Sequence, residues 1–322
     1  MVTFSILHAS DFHIAAQSDR GPPALERWDA GEAPLAILRE MRASEWLSIT
    51  PSSYSAFAAR SFARFMRRNR QFEVDAFVIS GDIATSAKKA DLDVAHAFLF
   101  GAADSTHKPR MKLESAEFPT IIIPGNHDRF GFLHFPGVAL FDDLFPNWEG
   151  GTRVISKSIR RGGVTLKIVG VDLSLDHYLD GLSTFGYVGQ GRAYEDRIAE
   201  LFSASNSDPA YDFLIWVVHF PPKFAGIRES LGLINEDMVV EAAFQCGVKA
   251  LLCGHTHESR QYKISDGGRE LIVACAGSAL QHYSIAPAEF CHYLIHTSPG
   301  NNKLTLSSTT FALKESGDFS RA

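Results

Sequence analysis

The sequence is poor in the features that mark several large classes of protein. Its four cysteines include no C-x-x-C pair, so neither a disulfide framework nor a thiolate zinc site is predicted. No apolar run approaches the roughly 20 residues of a membrane-spanning helix, and no basic leader precedes the first apolar segment. We therefore expect a cytoplasmic protein with reduced thiols and no membrane partner.

Positive charge is also scarce. The chain has 31 Lys and Arg residues against 37 Asp and Glu residues, and its formal net charge is −6, so it has no general attraction for nucleic acid. Four arginines do gather on one face of a predicted helix at residues 54–70, and a solvated helix face is the expected explanation. They are Arg60, Arg64, Arg67 and Arg68. Nucleic acid is therefore not expected as a partner.

What the sequence does contain is an alternation of apolar and amphipathic segments. Six continuous apolar runs predict strands that are buried on both faces, at residues 3–9, 72–80, 120–124, 166–172, 213–219 and 248–253. Helical spacing predicts further helices at 87–100, 193–202 and 235–246, with Asn235 as an N-cap and Met238 closing the first turn. From residue 259 to 313 the pattern changes to antiparallel strands separated by turn signals.

This order predicts one α/β domain that spans residues 1–322. Two segments, near 15–51 and 129–151, are longer than plain connections require and are interpreted as insertions. The second is crowded with aromatic residues, among them Phe130, Phe141 and Phe145. Its aromatics either pack locally or form a lid that stacks a base, and the sequence leaves both interpretations open.

Five short segments carry side chains that bind metals, and each stands where an apolar strand ends. They are Asp11-Phe12-His13, Gly81-Asp82, Gly125-Asn126-His127-Asp128, His219 and Gly254-His255-Thr256-His257. Carboxylate, imidazole and amide oxygen suit hard or borderline divalent cations. Because α/β sheets build their sites at the carboxyl ends of strands, we expect these side chains to converge.

Each segment alone has an ordinary explanation. Asp82 is placed where a helix N-cap would lie, and His219 in isolation would be taken as a core histidine. Five such segments after five apolar runs are improbable as a coincidence. Together they supply enough donors for two adjacent ions that share one residue, and Asp82 is the natural bridge because a carboxylate has two oxygens. Paired ions of this kind attack phosphate esters.

The five segments together resemble the calcineurin-like metallophosphoesterase superfamily, whose pattern is D-x-H, G-D, G-N-H-[DE], H and G-H-x-H. Every block is present in order between Asp11 and His257. The resemblance implies a four-layer α-β-β-α sandwich with two packed mixed sheets, to which the C-terminal strands are an antiparallel addition. It also implies seven metal ligands, namely Asp11, His13, Asp82, Asn126, His219, His255 and His257.

The resemblance further implies how these residues act. One ion is held by Asp11, His13, Asp82 and His257, and the other by Asp82, Asn126, His219 and His255. His127 is expected to contact the phosphate without binding metal and to protonate the leaving oxygen, with Asp128 orienting its ring. The expected reaction is hydrolysis by attack of a metal-bound hydroxide. Mixed nitrogen and oxygen ligation favours manganese or iron, with zinc as a further candidate.

The substrate is less well defined by the sequence. The Leu7-His8-x-Ser10-Asp11 opening and the His219-x-Pro221-Pro222 turn look most similar to cyclic-nucleotide phosphodiesterase-like members, which implies a small phosphodiester. A phosphomonoesterase of the protein-phosphatase kind is the alternative, and a non-catalytic metal-binding scaffold is a third interpretation. Arg129 is interpreted as either a phosphate contact or a surface charge, and neither His177 nor His282 is expected to bind metal. The oligomeric state is left open.

Overall fold

Two six-stranded mixed sheets form the centre of the fold. The computed structural model describes residues 1–16, 55–68, 74–101, 111, 119–130, 138–145, 153–176, 189–207, 210–227, 232–280, 287–298, 300 and 302–322. Within them the strands are β1 Val2–Ala9, β2 Ala76–Ile79, β3 Thr120–Ile122, β4 Val154–Arg161, β5 Val164–Val171, β6 Gly191–Arg192, β7 Phe213–Val218, β8 Leu233–Ile234, β9 Ala250–Cys253, β10 Arg260–Asp266, β11 Arg269–Cys275, β12 Glu289–Ser298, β13 Lys303–Leu313 and β14 Phe319–Arg321. The helices are α1 Ala56–Arg68, α2 Lys89–Phe100, α3 Asn126–Arg129, α4 Val138–Leu144, α5 Glu195–Asn206 and α6 Glu236–Cys246.

The strand order places every predicted site segment at the end of a parallel strand. The first sheet has the order β14-β13-β12-β1-β2-β3, and β1, β2 and β3 run parallel. The second has the order β10-β11-β9-β7-β5-β4, with β5, β7, β9 and β11 parallel. β6 and β8 pair as a small separate sheet. The C-terminal strands are largely antiparallel as predicted, but they extend both sheets instead of forming one added unit.

The period-two alternation of strand side chains explains the layers. In β7, Ile215 and Val217 belong to the core shared with the first sheet, whereas Trp216 faces the helices α5 and α6. On the far side of the first sheet, Phe62 of α1 packs edge-on against Phe290 of β12. The predicted α-β-β-α sandwich is therefore confirmed. None of the described helices combines the length and apolar character needed to cross a membrane.

Several local predictions were wrong in detail. The strand β4 was missed, because its pattern of exposed polar residues and few buried ones lacks a continuous apolar run. Asn235 does precede α6, but its backbone is left-handed, with φ 59°, and its side chain does not cap the helix. The amide Nδ2 instead lies 3.5 Å from the carbonyl oxygen of Ala193. The backbone N–H of Met238 closes the first turn by donating to the Asn235 carbonyl, as expected.

For part of the aromatic insertion, the structure favours local packing over a role as a lid. Phe130, Phe141 and Phe145 are each 1% exposed or less, and the last two stack at 4.3 Å between ring centroids. These three rings are therefore core side chains and are not available to stack a base. Phe132, Phe135, Trp148, His177, His282 and most of the insertion near 15–51 lie outside the described residues.

Arg129 is neither a phosphate contact nor a surface charge. Its side chain is 2% exposed, its Nε donates to Asp172 Oδ2 at 2.9 Å, and its Nη2 lies 2.8 Å from Asp142 Oδ1. Arg153 Nη1 reaches the same Asp172 oxygen at 2.8 Å. Arg129 thus ties the short helix α3 to the end of β5 and to α4. The arginines of α1, by contrast, lie on a solvated face as expected, where Arg64 is 3.8 Å from Asp318.

We predict that Arg129→Met lowers the free energy of unfolding by about 3–5 kcal/mol, because it leaves the buried Asp142 and Asp172 carboxylates without this partner. The matched control is Arg64→Met, which removes an exposed ion pair and is expected to cost about 1 kcal/mol or less. Urea unfolding of both variants measures the difference. Equal losses would show that the buried network has no special role.

Candidate metal centre

The five predicted segments converge at one edge of the two sheets. They follow β1, β2, β3, β7 and β9, and backbone hydrogen bonds connect neighbouring segments. The N–H of Asp11 donates to the Gly81 carbonyl at 3.0 Å, and the N–H of Gly254 donates to the His219 carbonyl at 3.0 Å. A bond between the sheets is formed by the N–H of His255, which donates to Asp11 Oδ2 at 2.9 Å. The convergence expected from the sequence is therefore present.

Strained backbone is concentrated at this edge. Eight non-glycine residues among those described have positive φ, and five of them are predicted ligands. These five are Asp11, His13, Asp82, His255 and His257, with φ between 47° and 71°. Such conformations cost of order 1–3 kcal/mol each and persist only where the surroundings enforce them. Gly81 (φ 105°) is constrained too, since a Cβ there would lie 2.6 Å from His219 Nδ1.

One group of donors surrounds Asp11. His257 Nε2 lies 3.3 Å and His13 Nε2 lies 3.8 Å from Asp11 Oδ1, and the two imidazole nitrogens are 3.2 Å apart. Asp11 and His13 are buried, whereas the side chain of His257 is 40% exposed. We call Asp11, His13 and His257 the outer donor group.

A second group surrounds His219, which is fully buried. Its Nε2 lies 3.3 Å from Asp82 Oδ2 and 3.2 Å from Asn126 Oδ1, and its Nδ1–H donates to the Ser80 carbonyl at 2.7 Å. His255 completes this group, because one of its ring nitrogens lies within 4.8 Å of a ligand atom of both Asp82 and His219. We call Asn126, His219 and His255 the inner donor group.

Asp82 lies between the two groups. Its Oδ2 is 3.3 Å from His219 Nε2 and 3.8 Å from His13 Nε2. Its Oδ1 accepts the backbone N–H of His127 at 2.8 Å. A single oxygen therefore faces both donor groups, whereas the sequence interpretation had both oxygens shared between two ions.

The donors fit divalent ions. Ligands at about 2.0–2.1 Å from one ion lie roughly 2.8–3.4 Å apart, the shorter distances for neighbouring ligands in octahedral and the longer in tetrahedral arrangements. Several of the donor spacings, from 3.2 to 3.3 Å, fall in this range. Asp11 Oδ1 is also buried without a hydrogen-bond donor among the described residues. Such an atom is costly unless a cation or proton compensates it.

The pKa values of Asp11 and His219 show that positive charge is favoured next to the buried carboxylates. Burial raises the pKa of Asp11, but the His257 imidazole and other nearby histidines outweigh it and hold that pKa well below its usual range. Burial lowers the pKa of His219, but the Asp82 carboxylate outweighs it and raises that pKa to about 9. Without metal, His219 therefore keeps a proton between two oxygen atoms.

His127 and Asp128 differ from the expectation. The Nδ1–H of His127 donates to the Thr85 carbonyl at 2.8 Å, and burial lowers the pKa of the ring to about 4. The Asp128 carboxylate accepts the backbone N–H groups of Ile83, Ala84 and Gly125 at 2.8–3.1 Å. Asp128 therefore fixes the loops after β2 and β3, and a backbone carbonyl orients the His127 ring in its place.

Two residues that no motif marks, Ser80 and Thr85, hold His219 and His127 through backbone carbonyls. Ser80 has a second role that a side-chain motif does not show. Its hydroxyl lies 2.8 Å from Nε2 of His8, a fully buried histidine in β1. The Nδ1 of His8 is 3.5 Å from the hydroxyl of Tyr293. His8 thus links the core to the segment that supports the inner donor group.

Comparison with known proteins identifies the family and the fold. The family model described as calcineurin-like phosphoesterase matches residues 4–259, and the chain belongs to this family. Comparison with curated protein sequences gives no match. The fold is similar to that of a dimetal phosphatase from Danio rerio, with TM-score 0.55, 12% identity and coverage of 97% of this chain and 99% of that one. It is also similar to GAP50, the anchor in the inner membrane complex of Plasmodium, with TM-score 0.51, 12% identity and coverage of 98% and 86%.

We predict that Asp82→Asn removes the high-affinity binding of both divalent ions, since Asp82 faces both donor groups, whereas His255→Ala removes one. Each loss should exceed about tenfold in affinity. Equilibrium dialysis with Mn²⁺ and elemental analysis give the stoichiometry. Asp318→Asn, at an exposed carboxylate just before the edge strand β14, is the control. Two ions retained by Asp82→Asn would contradict the bridging position.

We also predict a pH-dependent stability from His8. Burial, offset only in part by the charge of Asp11, lowers the pKa of His8 to about 3, against 6.5 in the unfolded chain. The unfolded state therefore binds an extra proton below pH 6.5. This contribution to stability is present in full above that pH and falls by up to about 1.4 kcal/mol per pH unit toward pH 3.

The variant that tests this is His8→Gln, whose unfolding free energy should fall less between pH 7 and pH 5 than that of the wild type. His296→Gln, at a histidine of β12 whose Nδ1 contacts Thr3 Oγ1 at 2.9 Å, is the control. Urea unfolding at both pH values measures the slopes. An unchanged slope in His8→Gln would refute the assignment.

Proposed function

We propose that this chain is a dinuclear-metal phosphodiesterase that hydrolyses a small phosphodiester, with cyclic nucleotides among the candidate substrates. The observation that carries the proposal is the position of Asp82 Oδ2 between two groups of imidazole and oxygen donors. Asp82 would be the residue shared by an ion held in the outer donor group and an ion held in the inner donor group. The mixed nitrogen and oxygen donors, including the Asn126 amide, favour manganese or iron, with zinc as the third candidate.

When bound, the two ions would supply Lewis acidity at the phosphoryl group and would lower the pKa of water toward neutral pH. The protein contributes the arrangement of the donors. Asp11 and Asp82 are held by backbone N–H groups of His255 and His127, so their remaining oxygens point into the site. The left-handed backbone at these positions keeps the donors in place before any substrate arrives.

His127 is proposed to handle the leaving-group proton at Nε2. Its Nδ1–H is committed to the Thr85 carbonyl, so Nε2 is the atom that accepts or gives a proton. Because burial lowers the pKa of the ring to about 4, His127 is neutral at pH 7 in the metal-free protein. The negative charge of a bound phosphate ester would raise that pKa and favour proton uptake.

The preference for diesters rests on the opening around Asp11 and the turn after His219, both similar to cyclic-nucleotide phosphodiesterase-like members. The four cysteines are free thiols, which supports the proposed cytoplasmic location. The experiment is a screen of the metal-stripped protein with Mn²⁺, Fe²⁺ or Zn²⁺ against cyclic nucleotides, aryl diesters and aryl monoesters. A higher kcat/KM for monoesters would overturn the diester assignment, and no hydrolysis with two ions bound would indicate a scaffold.

We predict that His127→Gln lowers kcat by about 10²–10⁴ on a diester with an alkoxide leaving group and far less on a p-nitrophenyl diester, whose leaving group needs no proton. Both ions should stay bound, because His127 is proposed as a proton donor and not as a ligand. Steady-state kinetics and metal analysis measure the two effects. His296→Gln, at the histidine of β12 that pairs with Thr3 near the start of β1, is the matched control.

Loss of an ion in His127→Gln would instead assign His127 as a ligand. One of its ring nitrogens does lie within 4.8 Å of a ligand atom of both His13 and Asp82. An equal loss of rate on both diesters would show that the ring positions the substrate without transferring a proton.

A further inference from the structure

The backbone before β6 lies directly against the inner donor group. Gly189 has φ 115°, and a Cβ at this position would lie 2.6 Å from Cε1 and 3.3 Å from Nε2 of His255. The three nearest atoms to that Cβ all belong to His255. Two residues on, a Cβ at Gly191 would lie 2.5 Å from the ring of Phe220. Side chains other than hydrogen do not fit at either position without a displacement of the ring.

Phe220 connects these two contacts. Its ring centroid is 4.9 Å from that of His219 and 4.8 Å from that of His255, and the two imidazoles are 5.1 Å apart. The three rings therefore pack as one cluster, with Gly189 against one member and Gly191 against another. We call this the inner ring cluster. A shift of one ring displaces its neighbours and so changes the direction of the imidazole nitrogens.

The segment that carries both glycines is itself held on two sides. The N–H of Gly191 donates to the Gly232 carbonyl at 3.1 Å, and the N–H of Arg192 donates to the Leu173 carbonyl at 2.9 Å. β6 pairs with β8, and Gly191 also forms an isolated bridge with Ser174. The segment is thus joined both to the loop after β5 and to the strand before α6. β6 is therefore anchored at Gly191 and Arg192, directly after the contact of Gly189 with His255.

We infer that Gly189 and Gly191 are positioning residues, whose backbone forms a wall that sets the angle of the His219 and His255 imidazoles for the inner ion. This inference rests on the ligand assignment proposed above. It predicts an asymmetric effect, because the wall touches the inner ring cluster while the outer donor group is arranged around Asp11. Disturbing the wall should weaken one ion and spare the other.

The test is Gly189→Ala, with Gly226→Ala as its matched control. Gly226 has φ 99°, and a Cβ there would meet no atom within 4 Å, so the control carries a similar backbone strain without a neighbouring ring. Mn²⁺ titration by calorimetry and elemental analysis is the readout, independent of activity. The wild type and the control should bind two ions. Gly189→Ala should bind the first with unchanged affinity and the second roughly 10–100-fold more weakly.

A double-mutant cycle shows whether the effect passes through His255. In a His255→Ala background, Gly189→Ala should cause no further loss of the second ion, because the ring that it displaces is gone. If Gly189→Ala does not fold, Gly191→Ala carries the same test through Phe220. Electron paramagnetic resonance adds a spectroscopic signature, since a coupled Mn²⁺ pair should give way to the signal of isolated Mn²⁺.

Three outcomes would overturn the inference. They are normal binding of both ions by Gly189→Ala, equal weakening of both, and an equal effect of Gly226→Ala, which would indicate general strain. A wild type that binds fewer than two ions would refute the ligand assignment itself, and this inference with it. A wild type that binds two ions but hydrolyses no ester would refute only the proposed reaction.

Discussion

The structure depends on the burial of negative charge at one edge of two sheets. Asp11, Asp82 and Asp128 are all at most 1% exposed and lie in adjacent segments. Removing charged carboxylates from water costs several kcal/mol each unless partners compensate them. The cost of burial is compensated in two ways among these three carboxylates. Burial and the neighbouring Asp82 raise the pKa of Asp128 to about 7, while nearby imidazoles hold the pKa values of Asp11 and Asp82 below their usual range.

This concentration of charge arises because several parallel strands end at the same edge of the two sheets. Parallel strands of both sheets end at one edge, and the turns after them adopt left-handed conformations that bring successive donors inward. The N–H of His255 on Asp11 Oδ2 and the N–H of His127 on Asp82 Oδ1 use backbone groups to orient carboxylates. The strained turns and the buried carboxylates therefore stabilise one another, and neither would persist alone. The buried ion pair between Arg129 and Asp172 joins α3 to the end of β5 at the same edge.

The strands that are buried on both faces could be predicted from the sequence, whereas a strand with few buried residues could not. The runs that became β1, β5, β7 and β9 are continuous and apolar and were found, whereas β4 has only two buried residues among polar ones and was missed. The ligand side chains were visible because carboxylates and imidazoles after apolar strands are unusual. Their supports were not, because Ser80 and Thr85 act through carbonyls that every residue has. Arg129 shows the same limit, since its charge predicts exposure and only the tertiary structure supplies its buried partners.

The two donor groups differ in exposure, and this difference bears on how an ester would enter. His219 is fully buried and packs with Phe220, whereas the side chain of His257 is 40% exposed and His127 is half-buried. His255 of the inner donor group is half-buried as well, so within the described part of the chain an ester can approach from the side of His257, His127 and His255. That side also carries the ring that is proposed to transfer a proton. His219 lies behind this edge, where its ring packs against Phe220 with 4.9 Å between the ring centroids.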